Sequence, residues 1–218
     1  MTYVIKKISD DFIFEEDWNN PVWEQAQIAL LEQVREESSD HTPKVEAKVL
    51  YNKNGFFVRF DVDDQYVRIV NTEFQSLVCQ DSCVEFFTKP KGAKSYLNFE
   101  MNAGGTLLCF DISDHTRTEN GFKEFRKLVP DDIKNMIIYH TLPSKLDEEI
   151  TEKVKWSVMY FAPFEMFNLD KAPVSGDIWV GNFFKCADKC SHPHWITYFP
   201  VYELNFHLPE CFGELILE

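Results

Sequence analysis

The chain has 218 residues, 44% hydrophobic and 15% aromatic, with 20 Phe against 8 Gly; that is enough apolar material for one sizeable core and too much for a disordered chain. Its 36 acidic residues outnumber 22 basic ones, giving a formal net charge of −14. A surface of that sign repels phosphate, which argues against nucleic acid or an anionic membrane as partner and favours neutral ligands such as sugars, or cations such as calcium.

The opening stretch MTYVIKKISDDFIFEEDW has two lysines but no long apolar run and no small-residue cleavage site, so it does not read as a signal peptide. No run of about 18 apolar residues occurs, and no transmembrane helix is expected. The six cysteines, Cys79, Cys83, Cys109, Cys186, Cys190 and Cys211, are too sparse for a disulfide scaffold; the expectation is reduced thiols in a cytoplasmic protein. WEQAQIALLEQV sets Trp23, Ala26, Leu30, Leu31 and Val34 on one helical face, so periodicity predicts a helix there, although Ile28, Leu30 and Val34 would also suit a strand.

From there on the dominant pattern is β. KVEAKVLYN and GFFVRFDV alternate apolar and polar residues on either side of Asn52-Lys53-Asn54-Gly55, a hairpin-type turn. SCVEFFTKP, SYLNFEMNA, TLLCFDIS, MIIYHTL, VKWSVMYFA, DIWVGNFFK, HWITYFPV and ECFGELILE continue it, and only PDDIKN and APFEMF look like helical turns. About ten short strands punctuated by Gly, Pro and Asn predict an all-β antiparallel sandwich or barrel. With no repeat or linker, residues 1–218 read as a single domain.

Several clusters could carry chemistry. CADKCSHPH packs Cys186, Cys190, His192 and His194 into nine residues, which raises a zinc site through Cys186 and Cys190. Four ligands on one short segment wrap a tetrahedron poorly, and the alternative is a turn between strands whose cysteines are buried and whose histidines line a cleft rim. DVDDQYV fails the EF-hand pattern, because Tyr66 stands where Gly is needed and Thr72 where the bidentate Glu belongs. Asp81 and Glu85 could be mistaken for a glycosidase pair; in a strand, Glu85 shares a face with Cys83 and Phe87 and reads as a partly buried carboxylate with a partner such as Arg59. No G-x-S-x-G elbow occurs and no cysteine has a thiol-protease context, so no catalytic residue is assigned. Trp156 and Trp179 sit inside strand patterns as core. Trp195 follows His194 and shares a face with Thr197 and Phe199, opposite His194, Ile196 and Tyr198.

The order PVWEQA, YNKNGFFVRFDVDDQYV, DSCVEFF, YLNFEMNAGG and FHLPECFGELILE resembles the carbohydrate-binding module family 9-like proteins, a DOMON-type β-sandwich branch, over about Trp23 to Glu218. The resemblance implies a jelly-roll-like fold that binds mono- or oligosaccharides, often beside glycan-degrading enzymes. It also turns residues 23–34 into a short turn at Trp-x-x-Ala followed by a strand. It implies a sugar clamped between two aromatic rings, one falling on Phe206 and the other on Val78 or Cys79, neither aromatic. A position that some members fill with a basic residue holds Glu100. The implied ligand-binding set is Phe206, Asn205, His207, His192, His194, Trp195, Glu85, Asn98 and Glu100. Phe206 would stack on the sugar's C–H face, and the polar groups would bind hydroxyls. Some members hold structural calcium through loop carboxylates, for which Asp63 and Asp64 are the candidates here; the alternative is a solvated acidic turn. Non-catalytic carbohydrate binding in glycan catabolism is the resulting expectation. A glycoside hydrolase or its subunit, and an interaction module with a decayed sugar site, remain as alternatives.

Overall fold

Fourteen strands make up nearly all the regular structure of residues 2–218, the residues described by this computed structural model. One sheet runs β10 (Ile137–His140), β11 (Val154–Pro163), β5 (Gly55–Asp64) and β4 (Lys44–Tyr51), with β2 (Ala29–Leu30) paired to β4. The other runs β14 (Gly213–Leu217), β12 (Ile178–Cys186), β6 (Cys83–Pro90), β7 (Tyr96–Asn102), β8 (Leu107–Thr118) and β9 (Gly121–Lys127). On it, β13 (Trp195–Thr197) pairs with β12 beyond the end of β14, and β3 (Gln33–Val34) pairs with β13. The first strand, β1 (Thr2–Lys7), joins the two: Thr2–Ile5 lie parallel to β14, and Lys6 and Lys7 parallel to β4. All other pairings are antiparallel, as a β-sandwich requires.

The inner faces meet in one aromatic-rich core. From β5 come Phe56, Val58, Phe60 and Val62; from β6, β7 and β12 come Val84, Phe86, Leu97, Phe99, Trp179 and Phe183. Phe86 stacks on Phe183 at 4.8 Å between centroids, and Phe56 meets Trp179 edge-on at 4.9 Å, geometries that aromatic quadrupoles favour. The outer faces are also covered. Residues 8–26 lay Ile8, Phe14 and Trp23 over Leu50, Phe57 and Met159. The segment after β13 lays Val201, Phe206 and Leu208 over Phe87, Tyr96, Phe184 and Cys186. Strands β6 and β7 therefore read as near-continuous apolar runs rather than strict alternations.

The helix predicted from the periodicity of residues 23–34 does not form, and the turn-then-strand reading does. Pro21–Gln25 is a single 3-10 turn capped by Asn20 Oδ1, which accepts from Val22 N at 3.0 Å. Ala29 and Leu31 then point inward at strand period, with Ala29 registered on Ala47 of β4. Sheet pairing has outweighed local amphipathicity. Phe164–Phe167 is the expected 3-10 turn, whereas PDDIKN forms two successive turns, Val129 to Asp132 and Ile133 to Met136. The hairpin turn at Asn52–Gly55 forms as predicted, with Asn52 N bonded to Gly55 O at 3.1 Å.

One end of the core holds a buried polar cluster. Asp64, with a fully buried side chain, accepts from His41 Nε2 at 2.8 Å and Trp156 Nε1 at 3.0 Å. Lys185 points inward from β12, its Nζ 2.7 Å from His194 Nε2 and 3.7 Å from Asp64 Oδ2. Burial would raise the Asp64 pKa, but Lys185, His41, His194 and Trp156 outweigh it and hold the carboxyl below its ordinary range. Burial, reinforced by Lys185, pushes the His194 pKa down to about 3.

Two outcomes follow for stability. Unfolded His ionises near 6.5, so between about pH 6.5 and 3 the unfolded chain binds a proton that native His194 does not, and stability falls as pH falls. Urea midpoints should drop from pH 7 to pH 4.5, and His194→Asn should drop less; equal losses would clear His194 of this role. At Gly55, a Cβ would sit 2.4 Å from Ala162 O and 2.8 Å from Pro163 Cα, both backbone atoms of the neighbouring strand. Gly55→Ala should therefore cost about 1–3 kcal/mol by overpacking, read from the same denaturation curves.

Candidate functional site

The side chains that point away from the core on β6, β7 and β12 floor a cleft of about 320 Å³, and the segment following β13 forms its wall. It is lined by Glu85, Glu100, Cys79, Cys186, Arg117 and Asp188, and by Trp195, Leu204, Asn205, Phe206 and His207. The strand period explains the floor. Cys83, Glu85 and Phe87 share one face of β6, and Tyr96, Asn98 and Glu100 share the matching face of β7. The β6–β7 register sets Glu85 directly opposite Glu100.

Those two carboxyls are 3% and 5% exposed, and among the described residues neither has a lysine or arginine bonded to it. Burial is the main cause that raises both pKa values: Glu85 goes well above its ordinary range, with Glu100 adding to the rise, and Glu100 goes to about 7. Asn98, wholly buried, fixes Glu100 by donating Nδ2 to Oε1 at 2.8 Å, while its own Oδ1 accepts from Phe110 N at 2.5 Å. Cys186 Sγ donates to Glu85 Oε1 at 3.1 Å. His207 Nδ1 lies 2.9 Å from Tyr96 OH, and its Nε2 lies 3.7 Å from Glu100 Oε1. Burial and the nearby Arg117 hold the His207 pKa well below normal, so the last contact joins a neutral imidazole to a carboxyl and is not an ion pair.

The wall is aromatic and acidic. Phe206, 9% exposed, stacks on Phe184 at 4.3 Å and 13°. Trp195 is half-buried, and its Nε1 donates to Asp188 Oδ1 at 2.8 Å. Burial raises the pKa of Asp188. Arg117, exposed on the far end of β8, lays its guanidinium 4.2 Å from the Phe122 ring centre. Below the start of β6, the buried carboxylate of Asp81 accepts from Arg68, from Val70 N at 3.0 Å, Asn71 N at 2.8 Å and Asn102 Nδ2 at 2.9 Å. Asn102 Oδ1 in turn accepts from Gly104 N and Thr106 N. Asp81 ties these loops together and does not line the cleft.

Of the residues expected from sequence, Glu85, Glu100, Trp195, Asn205, Phe206 and His207 converge on this cleft, and Asn98 supports it from beneath. His194 is buried on the inner face against Lys185, and His192 stacks on Tyr66 at 3.7 Å, so neither histidine reaches the cleft. Cys186 lies in the floor, while Cys190 lies apart with its Sγ 3.5 Å from Ser82 Oγ. Val78 is buried, and Cys79 lines the cleft. Asp63 pairs with Lys155 at 3.0 Å and points away from Asp64, whose oxygens are held by His41, Trp156 and the Gln65 N–H. This donor set gives the two carboxylates no common point for a calcium ion. Arg59 bonds to Asp61 and Trp18 O rather than to Glu85. Tyr198 packs into the core against Tyr3 and Phe183.

Arg117, Asp188 and Leu204 were not singled out from sequence. The Asn120-Gly121 step marks the β8–β9 hairpin and could have extended β8 to Arg117; Gly121 has φ +116°. A larger cleft of about 680 Å³ lies by the β6–β7 turn and residues 166–179, lined by Lys91, Lys94, Lys171, Asp170 and Phe167 among others. It contains none of the expected residues and no buried carboxyl.

The family model described as carbohydrate-binding family 9 matches residues 21–217. No curated protein of similar sequence is found. Among solved structures, the chain is similar to a candidate carbohydrate-binding protein from Bacteroides uniformis ATCC 8492, with TM-score 0.84 and 24% identity over 100% of this chain and 99% of that one. It is also similar to a carbohydrate binding module family 9 from Caldicellulosiruptor kristjanssonii in complex with glucose, with TM-score 0.64 and 16% identity over 100% of this chain and 96% of that one. The same kind of module in complex with cellotriose gives TM-score 0.64 and 16% identity, over 100% and 94%. At these identities the structural likeness speaks to the fold, and the sequence match supplies the family: the chain belongs to carbohydrate-binding family 9.

Proposed function

We propose that this protein binds carbohydrate in the cleft between Trp195, Phe206, Glu85 and Glu100, without breaking a glycosidic bond. The observation that carries this reading is the combination in one small cleft of two aromatic rings with buried oxygen and nitrogen groups. Pyranose rings present an apolar C–H face for stacking and hydroxyls that need both donors and acceptors. Trp195 supplies the aromatic surface that Val78 and Cys79 lack, beside Phe206. Glu100, with a pKa about 7, serves hydroxyls as acceptor or donor, while Arg117, Asn205 and His207 offer further polar contacts. Family membership and the glucose- and cellotriose-bound neighbours support a sugar as ligand, and a role in glycan catabolism beside degrading enzymes extends that reading.

Hydrolysis is disfavoured by register. Glu85 and Glu100 stand side by side on one floor, directly opposite each other on adjacent strands. A glycosidase needs its two carboxyls to flank the scissile bond, with one of them protonated. The protonation is present here and the flanking arrangement is not.

Calorimetry and a glycan array with the purified chain test the proposal. Trp195→Ala and Phe206→Ala should each weaken sugar binding by about 1–3 kcal/mol, as loss of a stacking ring does. Lys171→Ala, in the larger cleft, should leave it unchanged. No binding to any mono- or oligosaccharide by the folded wild type, or binding that depends on Lys171 alone, would overturn it. Asn98→Ala should also weaken binding, because it frees the Glu100 carboxyl; it should cost stability by about 1–3 kcal/mol too, as a buried carboxyl and the Phe110 N–H lose a partner. Binding and melting measured on the same sample separate the two effects.

A further inference from the structure

Two thiols and a carboxyl are gathered at the floor of the cleft: Glu85 and Cys186 line it, and Cys83 lies buried beside them. Cys83 and Cys186 are registered directly opposite each other across β6 and β12, and Glu85 lies two residues beyond Cys83 on the same face. One Sγ from each cysteine and one carboxylate oxygen of Glu85 all lie within 4.8 Å of one another. Oε1 of Glu85 is approached by Cys186 Sγ at 3.1 Å and by Cys83 Sγ at 4.0 Å. All three residues are at least nine-tenths buried. Oε2 of Glu85 receives no hydrogen bond from the described residues, although Glu85 lines the cleft. Three strands of one sheet build this group and its surroundings, so its members are held by backbone pairing rather than by mobile loops.

A pair of facing thiols beside a buried carboxyl, with no cation bonded to it among the described residues, lacks positive charge. We propose that Cys83, Glu85 and Cys186 form a zinc-binding site in the cleft floor, with the fourth coordination position open toward the cleft. Two sulfurs and one oxygen suit a borderline-soft tetrahedral ion and not calcium or magnesium, which take oxygen ligands throughout. Tetrahedral bonds of about 2.3 Å to sulfur put two thiolates about 3.8 Å apart, inside the 4.8 Å that encloses the observed grouping. On uptake, each sulfur forms its bond to the ion as its S–H bond breaks, and the proton passes to solvent. Two protons leave from the thiols, and a third leaves where Glu85 enters as the neutral acid. The open position takes water, or a hydroxyl of a bound ligand. The site stands on the thiol geometry and does not require the cleft to bind sugar.

The test uses the full chain, reduced and metal-free, titrated with cobalt(II) and then zinc. One cobalt per chain should give the thiolate-to-cobalt charge-transfer band and the visible bands of a four-coordinate ion, both displaced by zinc. Cys83→Ser and Cys186→Ser should each cut the charge-transfer intensity by half or more, the double variant should abolish it, Glu85→Gln should weaken affinity at least tenfold, and Cys190→Ser should change nothing. X-ray absorption of the zinc-loaded wild type should count two sulfur neighbours, which keeps the outcome decisive if a serine variant fails to fold. No thiolate band in the folded wild type, a band of undiminished intensity in Cys83→Ser or Cys186→Ser, a band lost in Cys190→Ser, or fewer than two sulfurs overturns the proposal. Because no sugar is present in the assay, its failure leaves carbohydrate binding untouched.

Discussion

A sheet covered on both faces governs this molecule. Strands β6, β7 and β12 alternate between the inner core and an outer apolar layer, so Glu85, Glu100 and Lys185 are buried whichever way they point. Lys185 points inward, where Asp64 and His194 receive it; Glu85 and Glu100 point outward, where no ammonium or guanidinium is bonded to them. Burial is the main penalty on their charged forms, and for Glu85 the like charge of Glu100 directly opposite adds to it, so these carboxyls keep their protons to unusually high pH. Such a floor carries little fixed charge beneath a chain whose overall charge is strongly negative, and that combination suits uncharged polar ligands.

The wall over that floor depends on long-range ties. Asp188 N bonds to Cys79 O at 3.0 Å and Lys189 N to Gln80 O at 3.1 Å, joining the turn after β12 to the 3-10 turn Val78–Gln80. Arg35 Nη1 donates to Val201 O at 2.9 Å, anchoring the final loop segment to the residues after β3. With Asp81 gathering residues 68–71 and 102, the cleft residues sit on elements that are each pinned at a second point. Precise placement of polar groups around a ligand depends on such support.

The fold was largely legible in the sequence because aromatic and β-branched runs, broken by Asn-Gly, Gly-Gly and Pro, leave few other structures for the chain. What escaped were elements defined by their partners. TYVIKK carries little strand signal of its own and becomes β1 through β14 and β4. GFKEFRK becomes β9 against β8, with two register shifts that blur its alternation. At the site, strand faces correctly put Glu85 with Cys83 and Phe87, and Trp195 opposite His194, while Glu100 came only from the resemblance. The histidines of CADKCSHPH went astray because a turn's direction is set by tertiary contacts: Lys185 drew His194 inward, and Tyr66 captured His192. Asp188 and Arg117 carry no local signature, since only the folded sheet brings residues 71 positions apart into one cleft.

The seat of β1 between β14 and β4 has a consequence for how the chain is made. During synthesis β1 finds half of its partners only after β14 has followed it, about 200 residues later, because Thr2–Ile5 pair with Glu214–Leu217. Until then the stretch of β12 that β14 covers, Ile178 to Gly181, has an open edge on that side, and unpaired edges invite other chains. Sandwich closure is therefore a late event with the longest loop to close. Because the pairing is parallel, with Thr2 beside Glu214 and Ile5 beside Leu217, no tight hairpin can link the two strands, and the contact is long-range by construction.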